Sequence, residues 1–452
     1  MKNQRLRLKA LIILSFAICL PPALIAPIPA AADMSGHGGM VRALDVSADG
    51  LRVLSGSFDF TARLWNFSEQ TEIGVLDAHA GPVTSVAFVG NDDRALTASD
   101  DMTAILWDLK TLKPLKRLIG HGHKIMGLAV TKDGKRAATG SWDKTVRLWD
   151  LGRGETIKIF RASSPVNAVT FADGGKILIA GSHDGKIRVW NIETGRAKAT
   201  LEGHELGITG LSVSPDESRM LSASIDKTLR LWDLETMTEV KVYKEHEGPV
   251  YAVVFSPDGK TALSAGREGT LLKWNLAEAK PIRAIRAVRA RKVIIWAVGF
   301  SADGRFALTA GSDDLIRVWH LQSGDRIGLE AEGEDEPKPW LTSDHPGASL
   351  FKKCARCHSL STNAKRRSGP NLAGLFGRAA GSVEGYNYSD ALTGVDFEWN
   401  EKTLFQLFDK GPNKVLPGTK MPMQIVPDAE KLTQLVDYLK QITAKASSKS
   451  GE

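Results

Sequence analysis

The sequence predicts a multidomain fold, in which an all-β propeller of seven blades is followed by an all-α domain. The propeller is indicated by a tryptophan that recurs every 41 to 45 residues, a period typical of four-stranded blades. After about Asp344 this period stops and the apolar residues take a helical spacing, with helices predicted at 346–353 and 428–443. The seven tryptophans are Trp65, Trp107, Trp149, Trp190, Trp232, Trp274 and Trp319.

Each repeat has the composition of a small antiparallel sheet. The run 250–255 is apolar and β-branched, and the S-P-D-G sequence at 256–259 is typical of a turn. An acidic residue stands six positions before every tryptophan, and it is aspartate except for Glu268 in the sixth repeat. Histidine, serine or threonine and these acids recur from repeat to repeat. We therefore interpret them as structural, because a catalytic triad would occur once.

Residues 36–330 resemble the WD-repeat β-propeller family, in which a histidine, a Ser or Thr, the turn acid and the Trp form one hydrogen-bonded chain within a blade. The resemblance implies three such chains: His79, Thr97, Asp101 and Trp107 in blade two; His123, Thr139, Asp143 and Trp149 in blade three; His204, Ser222, Asp226 and Trp232 in blade five. Blades four and seven lack the histidine, and blade six has Glu268, so we expect those three blades to be less rigid.

Closure of the ring is predicted to differ from the family pattern. Family propellers often close with an N-terminal strand that completes the last blade, but here the first inner strand follows soon after Asp33. We therefore expect blade seven to supply its own outer strand near residues 326–329. The ring would then close by the packing of blade seven against blade one.

Composition excludes one large class of function. The chain has 452 residues, of which 42% are hydrophobic and 25% are charged, and its net charge is +7. This charge is modest for the length, and a dedicated nucleic-acid binder would cluster its basic residues more strongly. We expect no nucleic-acid partner. The three cysteines are Cys19, Cys354 and Cys357.

Residues 1–32 have the composition of a cleaved signal peptide. A basic segment precedes the apolar run 11–20, and three alanines stand directly before Asp33. The alternative is an uncleaved membrane anchor, which Pro21, Pro22, Pro27 and Pro29 disfavour by interrupting the apolar segment. We expect an exported, periplasmic protein with no stable membrane span after signal cleavage.

Cys354, Cys357 and His358 form a C-x-x-C-H motif, the pattern of c-type haem attachment. Two thiols three positions apart can add to the two vinyl groups of one porphyrin, and the adjacent histidine can reach the iron. The alternatives are a thioredoxin-like C-x-x-C pair, which His358 disfavours, and half of a zinc site, which the lack of a second cysteine pair disfavours. The motif predicts one covalent haem c.

Residues 345–445 resemble class I cytochrome c of the mitochondrial-like bacterial type. The resemblance lies in F-K-K-C-A-R-C-H, in G-P-N-L-A-G-L-F-G-R at 369–378, in Y-N-Y-S-D-A at 386–391 and in P-G-T-K-M at 417–421. It implies thioethers at Cys354 and Cys357, axial iron ligands at His358 and Met421, and a Pro370 carbonyl that orients His358. It further implies contacts with the haem propionates for Arg378, Tyr388 and Trp399.

The sixth iron ligand has two candidates in sequence, Met421 and Met423, and the P-G-T-K match favours Met421. An imidazole and a thioether together fill both axial positions, which predicts electron transfer rather than substrate chemistry. Phe408 stands where the family usually has a tyrosine whose hydroxyl lies near the methionine sulfur. Without that hydroxyl, the iron–sulfur bond is expected to be more labile.

Basic residues near the haem-bearing segments predict docking to an acidic surface of a redox partner. They are Lys352, Lys353, Arg356, Lys365, Arg366, Arg367, Lys414 and Lys420. The alternative is an ordinary basic surface with no partner.

The predicted order is a signal peptide at 1–32, the propeller at 36–330, an acidic, Pro-containing linker at 331–344, the haem domain at 345–445 and a flexible tail at 446–452. The leading hypothesis is an exported electron carrier, not an enzyme, whose propeller docks it to a partner. One alternative is a periplasmic oxidoreductase with a catalytic site on the propeller, which would need a second cofactor. The other is a haem redox sensor or scaffold, which labile ligation by Met421 would favour.

Overall fold

The computed structural model describes residues 33–90, 93–278, 280–286, 293–328, 339–355, 357–362, 369–384, 386, 388–419, 421 and 424–447. Several predicted features therefore lie outside the described residues. These features are the signal peptide, the acidic part of the linker, Met423, the tail from 448 onward, and five of the basic residues predicted around the haem, namely Arg356, Lys365, Arg366, Arg367 and Lys420.

The first part of the described chain consists of short β-strands. In chain order they are β1 (Met34–Ser35), β2 (Val41–Val46), β3 (Arg52–Ser57), β4 (Ala62–Asn66), β5 (Thr71–Leu76), β6 (Val83–Val89), β7 (Arg94–Ser99), β8 (Thr103–Asp108), β9 (Lys113–Ile119), β10 (Ile125–Val130), β11 (Arg136–Ser141), β12 (Thr145–Asp150), β13 (Glu155–Arg161), β14 (Val166–Ala172), β15 (Ile177–Ser182), β16 (Ile187–Asn191), β17 (Ala197–Leu201), β18 (Ile208–Val213), β19 (Arg219–Ser224), β20 (Leu229–Asp233), β21 (Thr238–Tyr243), β22 (Val250–Phe255), β23 (Thr261–Gly266), β24 (Thr270–Asn275), β25 (Pro281–Arg286), β26 (Ile295–Phe300), β27 (Phe306–Gly311), β28 (Leu315–His320) and β29 (Arg326–Ile327).

These strands form seven antiparallel sheets, so the predicted seven-bladed propeller is confirmed. Each of the first six blades takes four consecutive strands, beginning with β2 to β5, and the first strand of each blade is the inner one. The apolar core lies between neighbouring blades, as where Leu64 of blade one packs in one cluster with Phe88 and Trp107 of blade two. A single sheet could not bury both of its faces, and the ring supplies each blade with a neighbour.

The ring is closed by the N-terminal strand, so the prediction that blade seven closes without it is wrong. β1 pairs antiparallel with β28, with Met34 opposite Ile316 and Ser35 opposite Leu315. β29 covers only the other end of the same strand, with Arg326 opposite Trp319. Each segment is two residues long, so two distant pieces of chain share one outer edge. A strand this short leaves no alternating pattern in sequence by which to predict it.

The hydrogen-bonded chains predicted for blades two and five are present, but the one predicted for blade three contains the wrong histidine. His121, not His123, binds the acid, with Nδ1 2.7 Å from Asp143 and Nε2 2.8 Å from the Thr139 hydroxyl. The Trp149 indole then donates to Thr139 at 2.7 Å. The correct histidine stands 22 residues before the acid, as it does in blades two and five.

Blades one and six also contain this arrangement. Blade one uses His37, Ser55, Asp59 and Trp65, and blade six uses His246, Ser264, Glu268 and Trp274. The glutamate keeps its contact with the histidine, although its second oxygen is buried without a hydrogen bond among the described residues. In blades four and seven the acid instead binds an arginine four residues later, Arg188 on Asp184 and Arg317 on Asp313.

Because these acids are held in their charged form by hydrogen bonds, we expect the propeller to lose stability in acid. Burial alone would raise the pKa of Asp143, but hydrogen bonds from Thr145, Gly122 and His121 outweigh it and hold the pKa at about 2. Burial lowers the pKa of His121 despite its bond to Asp143. The unfolded chain therefore binds more protons than the folded one, and the free energy of unfolding falls as the pH decreases. The Asp143 contribution is present above about pH 4 and is lost as the pH approaches 2.

Urea unfolding of the protein and of an Asp143→Asn variant, between pH 7 and pH 2, checks this. At pH 7 the variant should be less stable by about 1–3 kcal/mol, because His121, Thr145 and Gly122 lose a charged acceptor. The difference should shrink below pH 4. Asp325→Asn is the matched control, since Asp325 is exposed. A stability difference for Asp143→Asn that stays constant across the pH range would contradict the prediction.

The second part of the chain is helical, as predicted. Its helices are α1 (Gly347–Cys354), α2 (Asp390–Thr393), α3 (Glu401–Lys410), α4 (Pro412–Val415) and α5 (Ala429–Ser447). α1 packs closely on α5, because a Cβ at Gly347 would lie only 2.7 Å from Cβ of Tyr438. Trp340, in the segment predicted as linker, packs against Phe351 of α1 with ring centroids 5.4 Å apart. Within the described ranges, no helix combines the length and apolar character required to cross a bilayer.

Candidate haem site

The end of α1 positions the C-x-x-C-H motif. The amide of Ala355 still bonds to the Phe351 carbonyl at 3.0 Å, and those of Cys357 and His358 both bond to the Cys354 carbonyl at 3.0 Å. This tight turn places Cys354 in the core of the helical domain, while Cys357 and His358 are half-buried at its margin. The helix thus brings two thiols and an imidazole to one place.

The Pro370 carbonyl sets the orientation of His358. The His358 Nδ1 lies 2.8 Å from that oxygen. A carbonyl can only accept, so Nδ1 must donate its proton, and the lone pair of the ring is on Nε2. This is the contact that the resemblance implied for Pro370. It prepares the imidazole to bind a metal through Nε2, since a fixed second hydrogen bond sets both tautomer and ring orientation.

Gly369 forms the surface against which the His358 ring lies. A Cβ at this position would lie 2.6 Å from Nδ1 and 2.8 Å from Nε2, closer than real Cβ atoms approach a neighbour. The Gly369 amide also bonds to the Cys357 carbonyl at 2.7 Å, and this bond keeps the Gly369 backbone against the His358 ring. Glycine is therefore required here by close approach. No role was predicted for Gly369 from the sequence. Its position directly before Pro370, which was expected to contact His358, could have indicated it.

The two thiols have different surroundings. Burial, with a smaller contribution from Cys357, raises the pKa of Cys354 to about 11, so its thiol stays protonated at neutral pH. Its Sγ lies 3.9 Å from Oε1 of Gln424, a residue that the sequence did not point to. Cys357 is more exposed than Cys354. The two cysteines form no disulfide in the part of the chain that the structure describes.

Met421 borders the same apolar core as Cys354. It is partly buried and packs against the cluster that contains Phe351, Leu407 and Phe408. A turn closes just before it, where the Thr419 amide bonds to the Leu416 carbonyl at 3.0 Å and the Met421 amide bonds to the Thr419 hydroxyl at 3.2 Å. Two thiols, an imidazole with its lone pair on Nε2, and a thioether therefore surround one core. This donor set fits a c-type haem.

Arg378 and Trp399 lie together, because the Trp399 amide donates to the Arg378 carbonyl at 2.9 Å. The Arg378 guanidinium donates to the backbone carbonyls of Asn371 and Ala373, each at 2.8 Å. Tyr388 is near enough to Arg378 to oppose the lowering of the Arg378 pKa by burial, and its hydroxyl accepts from the Val383 amide at 3.3 Å. The three residues implied as propionate contacts are thus neighbours.

Fold and site together define a class: a propeller chain that carries a c-type haem-binding domain. Family comparison agrees for both parts. Residues 31–66, 70–108, 112–150, 154–191, 195–233, 237–275 and 284–320 match the family model described as WD domain, G-beta repeat, and residues 345–443 match the model described as Cytochrome c. The chain belongs to the WD-repeat family and carries, at its C-terminal end, a domain of the cytochrome c family, which marks it as an electron-transfer haem protein.

Three similar relatives are cytochromes c, and each matches slightly more than a fifth of this chain. Cytochrome c2 of Blastochloris viridis is 42% identical over 103 residues, which are 23% of this chain and 80% of that protein. Cytochrome c of Gibberella zeae is 45% identical over 98 residues, 22% of this chain and 92% of that protein. Cytochrome c of Stellaria longipes is 44% identical over 98 residues, 22% of this chain and 90% of that protein.

Proposed function

We propose that the protein is an exported electron carrier with one covalent haem c. In this proposal Cys354 and Cys357 hold the porphyrin, and His358 and Met421 hold the iron. The observation that carries it is the His358–Pro370 contact of 2.8 Å, which directs the basic Nε2 away from the backbone. A haem bound through one imidazole and one thioether carries a single electron and offers substrate no coordination position.

In this proposal, different residues of the chain have different roles in binding the haem. Pro370 and Gly369 fix the imidazole, the first by a hydrogen bond and the second by close approach. The apolar side chains around Phe351 and Leu407 would keep water away from a bound haem. Arg378, Tyr388 and Trp399 provide polar groups at one margin, where charged propionates would need them. These assignments are supported by the hydrogen bond from the Trp399 amide to the Arg378 carbonyl and by the electrostatic interaction of Tyr388 with the Arg378 guanidinium.

The assignment of Met421 as the sixth iron ligand can be tested directly. Met421→Ala should open one iron position, so that added imidazole binds roughly tenfold or more tightly than to the unmodified protein, because no thioether competes. The visible spectrum titrated with imidazole measures this. Met423→Ala is the matched control, and it should leave imidazole binding unchanged. If Met423→Ala opens the site while Met421→Ala does not, the ligand assignment is wrong.

Export to the periplasm is the second part of the proposal. Its support is the composition of residues 1–32, with an apolar run after a basic segment, and the three alanines before Asp33. N-terminal sequencing of the protein purified from its native source should find Asp33 as the first residue. A protein that retains residues 1–32, or that fractionates with the cytoplasm, would contradict export.

The third part of the proposal is that the protein docks to partner proteins through two surfaces, one on the helical domain and one on the propeller. Lys352, Lys353 and Lys414 are exposed on the helical domain, in segments that border the haem-binding residues. They support recognition of an acidic surface on a redox partner. The propeller presents a rigid ring of loops, and we assign to it the recognition of a partner protein.

A further inference from the structure

Every blade has the same irregularity at one end of its inner strand. A β-bulge interrupts the pairing of the inner and second strands at the second inner residue. The bulged residues are Arg42, Thr84, Met126, Asn167, Thr209, Tyr251 and Trp296. We call this ring of residues the mouth of the propeller.

The mouth is tied together between blades. The Thr84 hydroxyl donates to the Ile125 carbonyl of the next inner strand at 2.6 Å. Asn167 does the same to Ile208 at 2.8 Å, and Thr209 to Val250 at 2.7 Å. The bulged side chains therefore lie at one level around the ring. The turns between second and third strands reach the same end, because the Asp100 amide bonds to the Pro82 carbonyl at 2.9 Å.

Arg42 is a cation of the mouth that forms no ion pair among the described residues, although Asp100 attracts it from a greater distance. Its guanidinium carbon lies 5.0 Å from the centre of the Trp296 ring, and Trp296 stacks on Tyr251 with centroids 4.2 Å apart. Its one hydrogen bond within the described residues is long, 3.4 Å to the Trp296 carbonyl, and it forms no ion pair there. Burial lowers the pKa of this guanidinium. A shielded cation on an aromatic face, with most of its donors unused, is suited to binding an anion.

Two further polar groups of this region lack partners. The Trp296 indole Nε1 and the Asp100 Oδ1 are both buried without a hydrogen bond in the part of the chain that the structure describes. Burial raises the pKa of Asp100, against the attraction of Lys124 and Arg42. Buried polar groups in folded proteins are nearly always paired with protein, water or ligand. An anion at Arg42 could accept from Trp296 as well.

A second cation lies on the same rim, on blade three. The Lys124 ammonium is 3.7 Å from the centre of the Trp142 ring, and the Trp142 indole donates to the Asn167 side chain at 2.9 Å. Asp100, on blade two, interacts electrostatically with both Lys124 and Arg42. Two cation–aromatic pairs thus stand on different blades. One small anion would occupy only one of them, whereas an extended chain with several acids could reach both.

We propose that the mouth binds an acidic peptide segment of a partner protein, with one carboxylate on Arg42 and the Trp296 indole and another directed to Lys124. The proposal deepens the docking role assigned to the propeller above and rests on it. It names the chemistry of the partner, namely clustered Asp or Glu side chains on an extended chain. The recognising groups are Arg42, Trp296, Lys124 and Trp142.

Calorimetric titration of the full chain with an acetylated, amidated tetra-glutamate peptide at low ionic strength tests the proposal, with tetra-glutamine and tetra-lysine peptides as comparisons. Only tetra-glutamate should bind. Arg42→Gln should weaken binding about tenfold or more, because a charge-assisted pair is lost. Trp296→Phe, which keeps the stacking and removes the donor, should weaken binding a few-fold. Lys124→Gln is the second charge variant if Arg42→Gln does not fold.

Arg305→Gln is the matched control, because Arg305 is an exposed cation in the turn at the other end of an inner strand. It removes the same charge and should leave binding unchanged. Equal weakening by both arginine variants, or equal binding of tetra-glutamine, would overturn the proposal, and so would preferential binding of tetra-lysine. Arg42→Gln should leave the haem spectrum and its imidazole titration unchanged. The peptide result therefore stands or fails separately from the iron ligation tested with Met421.

Discussion

Replacing Asp33 with alanine is expected to lower the free energy of unfolding of the propeller by about 3–5 kcal/mol, the range for breaking a buried ion pair. The Asp33 side chain is fully buried and accepts a hydrogen bond from Arg326 Nε at 2.9 Å. Arg317 Nε lies 3.9 Å from the same carboxylate, and its side chain is only 6% exposed. Alanine would leave two shielded guanidiniums facing each other without the charge between them.

Urea unfolding followed by tryptophan fluorescence measures the effect, on protein whose N-terminus has been verified. Asp325→Ala is the matched control, since it removes an exposed acid next to Arg326, and it should change stability by less than about 0.5 kcal/mol. A double variant that also replaces Arg326 should recover part of the loss. Equal effects of the Asp33 and Asp325 substitutions would show that the closing contact contributes nothing.

Gly369→Ala is expected to displace the His358 ring and to disturb iron ligation more than any other single methyl group added near the site. The new carbon would need the space that Nδ1 and Nε2 now occupy, at 2.6 and 2.8 Å. Either the ring moves and loses the Pro370 carbonyl, or the chain moves and loses the Cys357 carbonyl. Overpacking of this kind costs about 1–3 kcal/mol, in addition to the weakened ligation.

The absorption spectrum and the imidazole titration of the haem-loaded protein check this second prediction. Gly374→Ala is the control in the same domain, because a Cβ there meets no atom within 4 Å. Its φ of +61° still makes alanine cost about 1 kcal/mol, so it separates general destabilisation from displacement of the ring. A normal spectrum in Gly369→Ala, with stability lowered as in Gly374→Ala, would contradict the argument.

Much of the propeller could be predicted because its signal repeats. The tryptophan and the turn acid recur once per blade. A repeat that is ambiguous by itself can therefore be assigned from its position relative to the others. Two local features were missed. The histidine of blade three was misassigned because His121 and His123 stand two positions apart, and only the 22-residue spacing to Asp143 distinguishes them. The closing strand was missed because pairing over two residues follows from tertiary position and not from local pattern.

The haem-binding region was predictable where contacts are local in sequence. His358 and Pro370 are 12 residues apart, and each lies in one of two motifs that carry the resemblance to cytochrome c. Contacts set by the tertiary path of a loop were not predictable. Gln424, for example, reaches Cys354 from 70 residues away. The contacts of Arg378 with the Asn371 and Ala373 carbonyls are local, but they were not predicted because backbone acceptors leave no side-chain signal in the sequence.

The pairing of β1 with blade seven also affects the order in which the propeller folds. Asp33 and Arg326 are 293 positions apart, so their contact is among the most distant in sequence that the chain forms. Contacts of such separation carry the largest loop-closure entropy and form late. Until residues 326–327 arrive, the blades are an open row with an unpaired edge at each end, and the start of the chain has no partner. For the export proposed above, such late pairing of β1 favours closure of the ring after translocation rather than before it.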